Sequence, residues 1–148
     1  SVEECIDHSP ALHMIKEKEI ELRKIVPLSL SKIMIDKNKI TQVITNLLSN
    51  AAKFTPKTGK ITVKITDRKD SILVAVSDTG IGIAKKHIPH LFDKFYQVET
   101  HLRRQQGGTG LGLPIVKEIV SLHGGLVSVD SKPKKGTTMS FTISKNLA

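Results

Sequence analysis

The stretch from Asp36 to Phe54 constrains the fold more than any other. Its apolar residues Ile40, Val43, Ile44, Leu47, Leu48 and Ala51 recur at intervals of three and four, which on a 3.6-residue helix draws one wide stripe. A stripe this long must lie against another layer of structure, because the burial of such surface is what holds a small domain together. Asp36 suits the amino-terminal cap, where a carboxylate accepts from the first free amides, and Pro56 and Gly59 stop the run.

Strands supply the other layer. Ile61 to Thr66 alternates as a half-buried strand does, and Ile72 to Val76 is more continuously apolar, which predicts a central place in its sheet. Leu126 to Asp130 and Thr137 to Ser144, joined by the turn Lys132 to Gly136, predict a second hairpin. Ile20 to Val26, before Pro27, reads as a further strand, and Ile33 to Ile35 as a short one leading into Asp36. Three more helices are expected: one in Val2 to Lys18, with Pro10 as a break or start; one from Lys85 to Tyr96; and one beginning at Pro114. The last carries Ile115, Ile119 and Leu122 on one face and stops at Gly124-Gly125. Two hairpins among interleaved helices predict an α+β domain with a mixed, mostly antiparallel sheet. There is no internal repeat and no low-complexity tract.

With 148 residues, 39% of them hydrophobic, the chain is sized for one compact domain. No apolar run approaches the roughly 20 residues of a membrane span, so the expectation is a soluble domain. Cys5 is the only cysteine, which excludes an internal disulfide or a cysteine metal cluster and favours a reducing, cytoplasmic setting. A net charge of +9 suits an anionic ligand or an acidic partner. Nucleic acid is disfavoured: four Phe, one Tyr and no Trp offer few stacking platforms.

Three constellations carry chemistry. Asn46, Asn50 and Lys53 share one side of the long helix, about 120° round from its apolar stripe. Neutral amide oxygens suit Mg²⁺ already bound to phosphates, and an ammonium one turn on can neutralise a phosphate oxygen. Taken alone, the same trio reads more simply as a solvated helix flank. Asp78-Thr79-Gly80-Ile81-Gly82 follows the central strand; its carboxylate could accept from an adenine amino group while glycines let the base approach the backbone. An ordinary strand-exit turn has similar residues. Third, Gly107-Gly108-Thr109-Gly110-Leu111-Gly112-Leu113-Pro114 has neither the spacing of a dinucleotide fingerprint nor the Gly-Lys-Ser/Thr of a Walker loop. It remains a glycine-rich hinge opening onto a helix amino terminus, which favours anions.

In this order, Asn-x-x-x-Asn-Ala-x-Lys-Phe at Asn46 to Phe54, Asp-x-Gly-x-Gly at Asp78 to Gly82 and Gly-Thr-Gly-Leu-Gly-Leu at Gly108 to Leu113 resemble the ATP-binding domain of bacterial sensor histidine kinases. Leu91 to Tyr96 resembles its phenylalanine box and Gly136-Thr137-Thr138 its closing strand turn; the likeness spans about residues 20 to 145. The resemblance implies a Bergerat fold, a two-layer sandwich with helices on one face of the sheet, that binds ATP and Mg²⁺. It implies Asn50 as metal ligand with Asn46 assisting, and Lys53 as a phosphate contact. Phe54 and Ile83 would line the adenine pocket, Asp78 would accept from the base, and Gly80 and Gly82 would lie beneath it. Gly108, Thr109, Gly110, Leu111, Gly112 and Leu113 would hinge an ATP lid running from Gln97 to Gly107, with Thr138 contributing from the closing strand. Arg103 and Arg104 lie in that lid, where they could reach the phosphates or stay solvated.

Hydrolases of the wider superfamily resemble this motif but carry a glutamate where this chain has Asn46. An amide cannot take a proton from water near neutral pH, so transfer to a histidine fits better than hydrolysis. Neither His8 nor His13 has the surroundings of a phosphoacceptor. His87 and His90 are too few for a metal site, and His123 is expected to cap the end of its helix. The expectation is therefore a catalytic domain at 19–148, with 1–18 as a linker or helix from a dimerisation domain that bears the acceptor histidine. Its partners would be that domain and a receiver domain, with membrane contact only through other segments. Competing readings are a nucleotide-binding regulatory or serine-phosphorylating module like the anti-sigma-factor kinases, or a degenerate domain that only binds ATP.

Overall fold

The computed structural model describes residues 1–93 and 112–146. In chain order the elements are α1 (Val2–Asp7), α2 (Ala11–Glu17), β1 (Glu21–Ile25), α3 (Lys37–Phe54), β2 (Lys60–Asp67), β3 (Ser71–Asp78), a 3₁₀ helix (Lys85–His90), α4 (Gly112–Leu122), β4 (Val127–Lys132) and β5 (Gly136–Ser144). The sheet order is β1-β2-β3-β5-β4, with β1 parallel to β2 and every other pair antiparallel. β3 is central, as its apolar run predicts.

Strand alternation puts one face of this sheet under the helices. Ile61, Val63 and Ile65 of β2, Ile72, Val74 and Val76 of β3, and Met139, Phe141 and Ile143 of β5 are all buried. They meet Ile40, Val43, Ile44, Leu47, Leu48 and Ala51 of α3 in one core, so the long stripe packs as its spacing requires. Asp36 caps α3 by accepting from the Lys39 amide at 3.1 Å. At the other end the Lys18 ammonium, its pKa lowered by burial, donates to the Ala52 carbonyl at 2.6 Å. Helices α1 and α2 pack on α3 and add Val2, Cys5, Ile6, Ala11 and Ile15 to the same core. Lys24 of β1 pairs with Glu3 and Asp7 of α1.

Three local expectations differ. Ile33 to Ile35 forms no strand; on its flanks the Ser31 amide donates to the Asp67 carboxylate at 2.9 Å and the Asp36 amide to the His123 ring at 3.1 Å, so the segment is anchored at both ends by side chains instead of a ladder. The segment after Ala84 is a 3₁₀ helix to His90, with Pro89 inside it, instead of a longer helix to Tyr96. Proline has no amide to continue an α-helical ladder; residues 94–96 lie outside the described residues. The third concerns α4, which starts before Pro114 and buries Val116, Ile119 and Val120, while Leu122 is 63% exposed. Lys117, Glu118 and Ser121 lie within about 100° of one another on the helical wheel and mark the outer face; Leu122 stands next to them, and Val116, Ile119 and Val120 lie opposite. Among the described residues no helix is long and apolar enough to cross a membrane.

A clasp closes the pole of the sheet away from Asp78. The Lys145 ammonium donates to Asp67 Oδ1, to the Arg68 carbonyl and to Ser31 Oγ, while Ser31 donates its amide and hydroxyl to Asp67 Oδ2. Lys145 and Ser31 together hold the Asp67 carboxyl at about 2, below its ordinary 3.8. A depressed folded-state pKa gives stability that is present above 3.8 and lost as pH falls through about 2. Asp67→Asn is therefore expected to lower the thermal midpoint at pH 6, with the gap from the parent closing as the pH drops from 5 to 2 in a calorimetric series. A gap independent of pH would rule out the ion pair as its source.

Candidate nucleotide-binding site

Asp78 ends β3 on the helix-facing side, sharing its parity with Val74 and Val76. Its Oδ1 accepts from the Gly80 amide at 2.8 Å and the Thr137 amide at 3.3 Å. Both bonds fall on one oxygen, so among the described residues Oδ2 is the oxygen open to an incoming donor. Burial raises the carboxyl above its ordinary 3.8, and the two amides pull it back only in part.

The loop beyond Asp78 is pressed on two neighbours at distances only glycine permits. A Cβ at Gly80 would lie 2.3 Å from the Phe54 carbonyl oxygen, at the end of α3. Gly82, at φ +74°, would place one 2.0 Å from the Lys132 carbonyl oxygen. The loop is fastened on both sides: the Ile81 amide donates to the Phe54 carbonyl at 3.2 Å, and the Ile83 amide to Ser131 Oγ at 2.8 Å. Phe54 and Ile83 are buried. The end of α3, the Asp78 loop and the β4–β5 hairpin thus form one continuous wall.

Asn46, Asn50 and Lys53 are half-buried along α3, one helical turn apart, on the side expected. Asn50 Nδ2 donates to Met139 Sδ at 3.9 Å, which brings its amide to β5 two residues beyond Thr137. Asn50 and Asp78 therefore both reach the start of β5. Leu113 is half-buried in α4, which begins at Gly112. Arg103, Arg104, Gly108, Thr109, Gly110 and Leu111, with the lid from Gln97 to Gly107, lie outside the described residues.

Thr138 faces away from this convergence: its hydroxyl bonds Ser77 Oγ at 2.8 Å on the far side of the sheet. Its neighbour Thr137 is buried, stands opposite Asp78 in register and bonds Ser131 Oγ at 2.7 Å. Sequence reading passed over Thr137, although its parity with Met139 and Phe141 assigns it to the inner face. A cavity of about 190 Å³ is lined by Asp78, Asp130, Lys132, Lys135 and Thr138, among others. Asp130 and Lys132 are exposed on the outer side of β4, whereas Asp78 and Thr137, which also line this opening, share the helix-facing side. His90 pairs with Asp93 at 3.0 Å, and no group of three His, Cys, Asp or Glu among the described residues could hold a metal.

Residues 35–147 match the family described as histidine kinase-, DNA gyrase B-, and HSP90-like ATPases. The chain belongs to that family. Among its relatives is the sensor histidine kinase WalK of Bacillus subtilis, 42% identical over 132 residues, covering 88% of this chain and 22% of WalK. The catalytic domain of histidine kinase ThkA, in a nucleotide-free form, superposes with a TM-score of 0.83 at 26% identity, over 97% of this chain and 91% of that one. Full-length ShkA in complex with AMPPNP gives 0.78 at 28% identity, over 99% of this chain and 30% of ShkA. Both the fold and the family are thus those of the ATP-binding catalytic domain of sensor histidine kinases. The chain spans about a fifth of WalK.

Asp78 makes this family's loop costly to the fold. Its raised pKa means that the folded state prefers the protonated form, so its contribution is full at low pH and lost as pH rises from 3.8 through the raised value. Asp78→Asn keeps the Oδ1 acceptor and removes the buried charge. At pH 7 it is expected to be at least as stable as the parent in urea unfolding, with the advantage gone below 3.8. A variant plainly less stable at pH 7 would contradict this.

Proposed function

We propose that this domain binds Mg-ATP in the wedge between α3 and the Asp78 loop and passes the γ-phosphoryl group to a histidine on a separate helical domain. The observation that carries the reading is the Asp78 carboxylate: Oδ1 is held by two backbone amides, and Oδ2 is left for a donor beside glycine-lined backbone. An adenine amino group is such a donor, and the close backbone gives a flat base its floor. Phe54 and Ile83 wall the base, and Thr137, more than Thr138, stands with Asp78 at its edge.

The residues fit a metal that arrives on phosphates. Asn50 and Asn46 offer neutral oxygen ligands, matching a small hard cation that keeps water and phosphate in its shell. When bound, Mg²⁺ supplies charge neutralisation at the phosphates. Lys53 adds an ammonium on the same side, and the amino end of α4 adds free amides and a partial positive charge. Arg103, Arg104 and the glycines from Gly108 to Gly112 complete the phosphate end in this reading. Positioning and electrostatics are most of what phosphoryl transfer demands of a protein. With an amide at Asn46, that position offers water no base, which favours a better nucleophile.

In the whole protein, residues 1–18 join this unit to the dimerisation domain that carries the acceptor histidine, and a receiver domain takes the phosphoryl group onward. The relatives, multi-domain kinases of which this chain is a fraction, support that arrangement.

Asp78→Asn puts an amide donor opposite the adenine amino group. It is expected to weaken Mg-ATP binding at least about tenfold, ~1.4 kcal/mol, and to shift relative preference toward ITP, whose base has an oxygen at that position. Calorimetry with both nucleotides checks this, and equal ATP affinity in parent and variant would remove Asp78 from the site. Mixing the domain with labelled ATP and a histidine-bearing dimerisation domain is expected to give acid-labile, base-stable label on the latter. Acid-stable label on serine would instead mark a serine kinase.

A further inference from the structure

His123 is buried, 6% exposed, at the carboxyl end of α4. Its Nδ1 lies 3.0 Å from the Ile119 carbonyl, and its Nε2 lies 3.1 Å from the Asp36 amide. The backbone amide can only donate, so Nε2 accepts; Nδ1 then carries the proton and donates to Ile119. One neutral imidazole thus closes the last turn of α4 and, 87 residues away in sequence, holds the cap residue of α3. Beyond it, the Gly125 amide donates to the Val120 carbonyl at 3.0 Å and a Cβ at Gly125 would sit 1.7 Å from the Thr142 carbonyl oxygen. The chain just beyond the ring is therefore pressed against β5.

From that junction α3 and α4 pack along each other through Val116, Ile119 and Val120. The carboxyl end of α4 meets the amino end of α3, so the two helices run in opposite directions. Eleven residues of α4 rise about 16 Å. The same distance along α3 from Asp36 reaches roughly Leu47, which puts the amino end of α4 level with Asn46 and Asn50. Apolar burial is non-directional and holds the two helices together, and a pair of directional bonds at one end adds a narrow constraint on their axial register.

We infer that His123 is a positioning residue: its two hydrogen bonds set the axial register of α4 against α3, and so aim the amino end of α4 at the face bearing Asn46 and Asn50. The inference rests on the nucleotide site proposed above. Errors of about 1 Å in the placement of such groups are enough to cost about a hundredfold in rate, so a register pin far from the phosphates acts on them through the rigid helix.

His123→Phe keeps the ring volume and removes both bonds; His123→Gln offers an amide N–H and an amide oxygen to the same two partners. At temperatures well below unfolding, Mg-ATP affinity is expected to fall at least fivefold in His123→Phe and to stay within twofold of the parent in His123→Gln. A ligand-free measurement accompanies it: spin labels at Gln42→Cys on α3 and Lys117→Cys on α4, both exposed, report the helix separation while native Cys5 is buried. A narrow distance distribution in the parent and His123→Gln, broadened or shifted in His123→Phe, is the expected result. If His123→Phe does not fold, His123→Asn, whose shorter amide reaches one partner at most, is measured instead and should bind Mg-ATP more weakly, with a broader distance distribution, than His123→Gln. Unchanged distances, or a glutamine that rescues nothing, overturn the inference. A parent domain that binds no Mg-ATP while the distances respond as stated overturns the nucleotide site and leaves the pin standing.

Discussion

The seating of α3 on the sheet is the constraint from which the rest follows. Ile40, Val43, Ile44 and Leu48 are fully buried there, and at roughly 1.5 to 3 kcal/mol for each large side chain taken out of water they fix both the rotation and the height of the helix. Rotation decides which flank faces outward, and so where Asn46, Asn50 and Lys53 stand. Height decides where the helix ends, and the last carbonyl, that of Phe54, is the one against which Gly80 lies. A single packing decision thereby places two groups of polar residues that are distant in sequence.

The parts of this fold that were legible in the sequence are those governed by a repeating local rule. The α3 stripe, the alternation in β2, the apolar run of β3 and the capping of α3 by Asp36 all express such rules. What escaped reading depends on partners from elsewhere in the chain. Ile33 to Ile35 has the composition of a strand, but its surroundings supply a carboxylate and an imidazole instead of a neighbouring ladder. In α4 the difference is one of rotation: Lys117, Glu118 and Ser121 mark the outer face, Leu122 stands beside them, and the inner stripe runs through Val116, Ile119 and Val120 instead of Ile115, Ile119 and Leu122. At the site, the order of motifs was enough to group Asn50, Asp78 and β5, but the choice between adjacent threonines turned on strand parity, which puts Thr137 beside Asp78 and Thr138 beside Ser77.

Asp78 and Asp67 show how burial and partners divide the work of carboxylates in one domain. Asp67 is met by an ammonium, an amide and a hydroxyl, and the fold gains from its charge. Asp78 is desolvated with only two amides for company, and the fold bears a charge it would shed. A destabilising charge of this kind is commonly kept at a functional site, and in the reading proposed above an external donor supplies what the protein withholds.

The pairing of Asp78 with Thr137 also says something about when the pocket comes into being. β2 with β3, and β4 with β5, are hairpins that close over short turns, whereas β3 meets β5 across 59 residues that include α4. Long-range pairings of this kind are the slow, entropically expensive steps of assembly. The wall that would receive a base lies on that seam, so it exists only once the two hairpins have joined, and half-assembled chains have nothing with which to hold nucleotide.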